Sequence, residues 1–231
     1  MKRIISAFLL CSVSLTALAQ DDDTGFRLGL QASPVVSWLR AIDKGTKSDG
    51  VQMGFTYGLM FDYNIGANYA FSTGLGVILE GGKLQYLDNT ITRSFPDTAK
   101  FLMMPNSDLT FHSQLIEIPL SLKFKTNEIG YFTYFMQFGL AAEVALRTRG
   151  NISPNVGLTN KEDLGKDVNP FNLSMVVGAG FEYSITGNTR AVVGVNFYNG
   201  FLDYTTDNKN AFGSDTKEIL NHFALRLGIF F

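Results

Sequence analysis

The sequence predicts an all-β protein, an eight-stranded antiparallel β-barrel of the outer-membrane type, on three observations. Eight segments alternate apolar and polar residues with the period of a strand. The polar side of each is built largely from small residues, and tight turns alternate with long polar connections. An apolar stripe about ten residues long matches a strand that crosses hydrocarbon at a tilt of roughly 45°.

The segments follow in order. Residues 26–32 set Phe26, Leu28, Leu30 and Ala32 against Arg27, Gly29 and Gln31. Residues 53–63 place Met53, Phe55, Tyr57, Leu59, Phe61 and Tyr63 opposite Gly54, Thr56, Gly58, Met60 and Asp62. In 69–80, Tyr69, Phe71, Thr73, Leu75, Val77 and Leu79 oppose Ala70, Ser72, Gly74, Gly76, Ile78 and Glu80. The fourth, 116–124, opposes Ile116, Ile118, Leu120, Leu122 and Phe124 to Glu117, Pro119, Ser121 and Lys123. The fifth, 132–144, has Thr133, Gln137, Gly139, Ala141 and Glu143 on its polar side, and the sixth, 171–183, has Asn172, Ser174, Gly178, Gly180 and Glu182. The seventh carries Ala191, Val193, Val195 and Phe197 against Arg190, Val192, Gly194 and Asn196. The eighth is "HFALRLGIFF" (222–231), where Phe223, Leu225, Leu227, Ile229 and Phe231 share a face and Arg226 lies on the other.

That second face separates this chain from a soluble sandwich, whose polar face meets water with Lys, Glu and Thr more than with glycine. Small polar residues suit the crowded inside of a narrow closed barrel. Short turns at 64–68, 126–130 and 184–188 carry Gly or Asn for turn geometry. Long stretches follow the odd-numbered strands, roughly at 34–51, 85–112, 147–169 and 199–218. Tight turns on one side and long loops on the other are the periplasmic and extracellular ends of such barrels, with both termini periplasmic. Tyr63, Tyr69, Phe71, Phe124, Tyr131, Phe132 and Tyr183 gather at the turn side as an interfacial girdle.

The N-terminal end indicates export. Lys2 and Arg3 precede an apolar run from Ile4 to Leu18, and Ala17-Leu18-Ala19 offers small residues at −3 and −1. These are the parts of a signal peptide, 1–19, leaving a barrel domain of 20–231. The run is too short to anchor as a helix, and Leu10 before Cys11 does not fit a lipoprotein site. Removal takes the one cysteine and two of 19 basic residues, so the net charge moves from −2 to −4. No basic patch offers itself to nucleic acid.

The inward charges are Arg27, Asp62, Glu80, Glu117, Lys123, Glu143, Glu182, Arg190 and Arg226. Buried charges must pair or neutralise, and an internal network is the reading adopted for them, with Glu182 and Arg190 paired across the 184–188 turn. Glu80, Glu117 and Glu143 lie on consecutive strands toward the loop end. They are either a cation or basic-ligand site at the mouth or part of the network, completed by Arg147 or Arg149; the second reading is preferred. Catalytic, metal and cofactor signatures are otherwise lacking. His112-Ser113 invites a hydrolase reading, but adjacent strand residues point to opposite faces, and no carboxylate partner of a triad is placed beside them. The glycines at 74–76 and 178–180 alternate along strands and open no helix, so they are not dinucleotide fingerprints.

Several stretches are similar to a known family: "GLQASPVVSWLR" (29–40), "GFTYGLMFDYNI" (54–65), "YAFSTGL" (69–75), "IEIPLSLKFKTNEIGYFTYFMQFG" (116–139), "GFEYSITGN" (180–188) and "NFYNGFLD" (196–203). They resemble the PorT family, small outer-membrane barrels of Bacteroidetes-type bacteria. The resemblance implies an integral outer-membrane protein and, for the founding member, a role in type IX secretion. It brings no catalytic or ligand residues. Separately, the terminal aromatic strand, with Phe223, Leu225, Leu227, Ile229 and Phe231 on one face, resembles the C-terminal signal read by the outer-membrane insertion machinery. Three functions follow: a non-enzymatic accessory of type IX secretion acting through contacts with other secretion components; a stand-alone surface barrel binding ligands through its loops; and, far weaker, a lipid-modifying enzyme.

Overall fold

The computed structural model describes residues 25–42, 46–87, 92–93, 101–102, 106–153, 162–165, 168–206 and 217–231. The expected signal peptide, 1–19, and much of the loop at 85–112 lie outside these residues. Eight strands form the wall: β1 Phe26–Ala41, β2 Gln52–Gly66, β3 Tyr69–Tyr86, β4 Ser107–Lys125, β5 Phe132–Ser153, β6 Phe171–Thr186, β7 Thr189–Gly200 and β8 Glu218–Phe230. Each pairs antiparallel with its sequence neighbours, and β8 pairs β1, with Gly29 opposite Phe230 and Ala41 opposite Glu218. The barrel is closed, so no strand edge is left to hydrocarbon.

Facing follows the sequence pattern. Leu30, Leu59, Leu75, Leu120, Phe138, Val195 and Leu225 are exposed on the outer surface, while Asp62, Ser72, Glu117, Lys123, Glu143, Glu182 and Arg226 are buried within. Tyr63, Tyr69, Phe124, Tyr131, Phe132 and Tyr183 ring the turn end on the outside, with Phe132 and Tyr183 ring centroids 5.1 Å apart. Gly130 and Gly187 take positive φ in the turns, 67° and 51°, a conformation open to glycine at little cost. Inward glycines make room for large neighbours: a Cβ on Gly29 would lie 2.7 Å from the Phe230 ring, and one on Gly180 2.8 Å from that of Phe135.

The strands run longer than the alternation predicts. β4 has 19 residues and β5 22, against the 9–11 or so that cross hydrocarbon. β4 starts nine residues before the predicted 116 because pairing continues where the apolar stripe ends: Lys83 pairs Thr110, and His112 pairs Arg149. Outside the bilayer the outer face needs no apolar residues, so the period-2 signal fades while the ladder persists. β3, β4 and β5 thus rise as a collar at the loop end, and the sequence pattern misses it. A three-residue strand, Thr46–Ser48, leans on β3 there, and Glu162–Asp163 pairs with β5.

A bulge in β5 changes which way two arginines point. The register passes from Gln114 opposite Arg147 to Leu115 opposite Ala145, so Leu146 has no partner. An extra residue inverts the alternation beyond it. Thr148 and Gly150 therefore face inward, and Arg147 lies exposed outside. The expectation that Arg147 or Arg149 completes the acidic cluster is corrected by this bulge.

Candidate functional site

The lumen is filled in three layers. At the turn end, Arg27 Nη1 donates to Glu182 Oε2 at 2.8 Å and its Nη2 to Asp62 Oδ2 at 3.1 Å. Lys123 Nζ donates to Asp62 Oδ2 at 2.8 Å and to Glu182 Oε1 at 2.5 Å, and Ser72 Oγ to Asp62 Oδ1 at 2.7 Å. Two acids and two bases from β1, β2, β4 and β6 thus neutralise one another across the lumen. The rings of Phe135 and Phe230 seal them, with Lys123 Nζ 4.3 Å from the Phe135 centroid and the Arg27 guanidinium 4.7 Å from that of Phe230.

Arg190 does not join this floor. The register opposes it to Ser184 and Glu182 to Val192, so the expected Glu182–Arg190 pair is displaced. Arg190 Nη2 instead lies 3.3 Å from Glu128 in the β4–β5 turn, and Nη1 donates to Thr133. Glu182 is already held by two cations that reach across the lumen. Arg226 also departs from the expected network: Nη1 donates to Gln137 Oε1 at 2.6 Å and Nη2 to Met60 Sδ at 3.1 Å, with no carboxylate partner among the described residues.

The second layer lies nearer the loop end and gathers three carboxyls against one imidazole. Glu117 on β4 stands directly opposite Glu143 on β5, an arrangement that repels. Glu80 of β3 completes three buried carboxyls. The basic side chain beside them is His222 of β8, not an arginine: Nδ1 is 2.9 Å from Glu80 Oε2, and Nε2 is 3.9 Å from Glu117 Oε2. Tyr198 stacks on the imidazole at 4.1 Å between ring centroids, and its hydroxyl donates to Glu117 Oε1 at 3.5 Å. Asn172 Nδ2 donates to Glu143 Oε2 at 2.6 Å and Ser174 Oγ to Glu143 Oε1 at 3.1 Å. Glu80, Glu143 and His222 each offer a ligand atom within 4.8 Å of the others, the group best arranged to hold a metal ion among the described residues. His222 escapes the sequence reading, although its parity with Ala224 and Arg226 on β8 places it inside.

The third layer is an apolar lid. Leu39, Leu84, Tyr86, Leu109, Phe111 and Leu220 point into the collar, and Leu164, Val168 and Tyr204 pack onto them from the connecting segments. Tyr204 meets Phe111 edge-on, and its hydroxyl bonds Ser113. The segment is fixed by Asn169 N–H donating to Tyr204 O at 2.9 Å and Tyr204 N–H donating to Glu218 O at 2.7 Å. His112 lies exposed outside while Ser113 is buried inside against Thr148, so the two cannot act on one substrate. On the collar's outer surface Lys83 binds Asp49 at 2.5 Å and Asp108 at 2.9 Å, hydrogen bonds that push its ammonium pKa up.

A closed eight-stranded barrel with an apolar outside and a filled, charged inside defines an integral outer-membrane protein. A model of the outer membrane protein beta-barrel domain matches residues 18–205, and the chain belongs to that family. No curated protein matches it. Similar solved structures include Neisserial surface protein A, at 13% identity and TM-score 0.47 over 88% of this chain and 95% of that one. They also include the attachment invasion locus protein Ail of Yersinia pestis, in complex with the heparin analogue sucrose octasulfate, at 14% identity and TM-score 0.42 over 89% and 99%. OprG from Pseudomonas aeruginosa matches at 10% identity and TM-score 0.44 over 91% and 98%.

Proposed function

We propose that the chain is a non-enzymatic accessory of protein secretion of the type IX kind, working by contact from the outer membrane. The observation that carries this reading is the lumen filled from floor to lid. A barrel so packed passes no folded cargo, so its work falls to the surfaces it presents. At the loop end these are the collar of β3, β4 and β5 and the stretches at 85–112 and 147–169, the longest connections in the sequence. The secretion system as the partner rests on the PorT resemblance of the sequence. In this reading the N-terminal nineteen residues are removed on export, the tight turns and both termini face the periplasm, and the β8 stripe of Phe223, Leu225, Leu227, Ile229 and Phe231 is what the insertion machinery reads.

The test compares the secreted proteome of a deletion strain with that of its parent. Retention of type IX cargo in the deletion strain, and weakened capture of another outer-membrane component when the 85–112 loop is shortened, are the expected results. Normal arrival of cargo in the medium and on the surface would overturn the secretion role and favour a stand-alone barrel that binds ligands through its loops.

A further inference from the structure

We infer that the acidic layer inside the barrel is a binding site for one divalent metal ion of the zinc class, held by Glu80, Glu143 and His222 with Glu117 beside them. Four observations converge. Glu80 and His222 are 4% and 2% exposed, so both lie buried inside the barrel. Glu80 Oε1 and His222 Nε2 have no hydrogen-bond partner, although buried polar atoms are normally paired. Glu117 and Glu143 are forced against each other by the β4–β5 register, and among the described residues no lysine or arginine forms an ion pair with any of the three carboxylates. The ligand atoms of Glu80, Glu143 and His222 already lie within 4.8 Å of one another.

Three carboxyls face a single imidazole, so without a further cation they must repel one another or take up protons. A divalent cation relieves that repulsion and uses the lone pairs that have no donor. The floor of the same barrel shows the contrast, since its two acids meet two bases one for one. The surroundings resemble those that orient metal ligands. Asn172 and Ser174 donate to the two oxygens of Glu143, and Tyr198 fixes the plane of the imidazole by stacking. One nitrogen with two or three carboxylate oxygens suits zinc and similar transition ions, whereas calcium and magnesium prefer oxygen-only shells. The ion enters before the lid packs, because the apolar layer above and the ion-paired floor below close both ends. This inference does not depend on the secretion reading.

The experiment uses the full barrel, folded in detergent and stripped of metal by a chelator during refolding. It is then refolded with zinc or with calcium, and bound metal is measured by elemental mass spectrometry. One zinc per folded chain, no calcium, and a visible tetrahedral absorption band with cobalt are expected. Glu143→Gln and His222→Gln should each lower zinc affinity about tenfold or more, and Arg190→Gln, outside the layer, should leave it unchanged. Where a ligand variant fails to give the heat-modifiable folded form, Asn172→Ala, which removes the donor to Glu143 and Ser174 but leaves every ligand in place, should still weaken binding about tenfold. Folded wild type without stoichiometric zinc would overturn the site, as would zinc held equally well by His222→Gln, which would mark an adventitious ion.

Discussion

At the scale of single residues, the facing of each charge was legible from parity, but its partner was not. Arg27 and Glu182 lie on opposite walls of the lumen, and only the closed cross-section brings their atoms within 2.8 Å. Turn adjacency suggested Arg190 for Glu182, and the register refused it. The two ion pairs should behave very differently. Glu182→Ala leaves Lys123 and Arg27 buried with one carboxylate between them, and breaking a buried pair costs about 3–5 kcal/mol. Arg190→Ala removes a half-exposed contact to Glu128, for which about 1 kcal/mol or less is expected. Urea unfolding of the refolded barrel in lipid vesicles measures both, and equal losses would refute the layered assignment.

At the scale of elements, the apolar stripe located all eight strands but not their full length: residues 34–41, read as part of a loop, continue β1, with Trp38 packed on the rings of Phe197 and Phe223. The upper halves of β4 and β5 carry Thr110, His112, Gln114 and Arg147 outward, so nothing in their period announces a strand. The bulge at Leu146 was equally hidden, because an unpaired residue has no composition of its own. The boundary between lipid and collar is testable along one strand. Leu120, half exposed in the middle of the 116–124 apolar stripe of β4, should lose about 2–4 kcal/mol on change to arginine, the cost of a cation at mid-bilayer depth. His112→Arg, eight residues nearer the loops, should change stability by about 0.5 kcal/mol or less, as surface substitutions do. Comparable losses at both positions would mean that the collar is immersed.

At the scale of the whole molecule, a barrel with three filled layers should be electrically silent. Reconstituted into planar bilayers, the folded chain is expected to show no porin-like unitary steps, and regular steps would contradict the packed lumen. The acidic layer was half legible in the sequence: its carboxylates were picked out as a group, while the histidine that faces them required the β8–β1 seam to be seen. That seam joins Gly29 to Phe230. It has a kinetic meaning. Until the seam joins, β1 and β8 each present a row of amides that hydrocarbon cannot satisfy. Contacts so distant along the chain form slowly. The wall is therefore complete only once that seam forms, and a chain lacking β1 or β8 would be left as an open sheet with two bare margins in hydrocarbon.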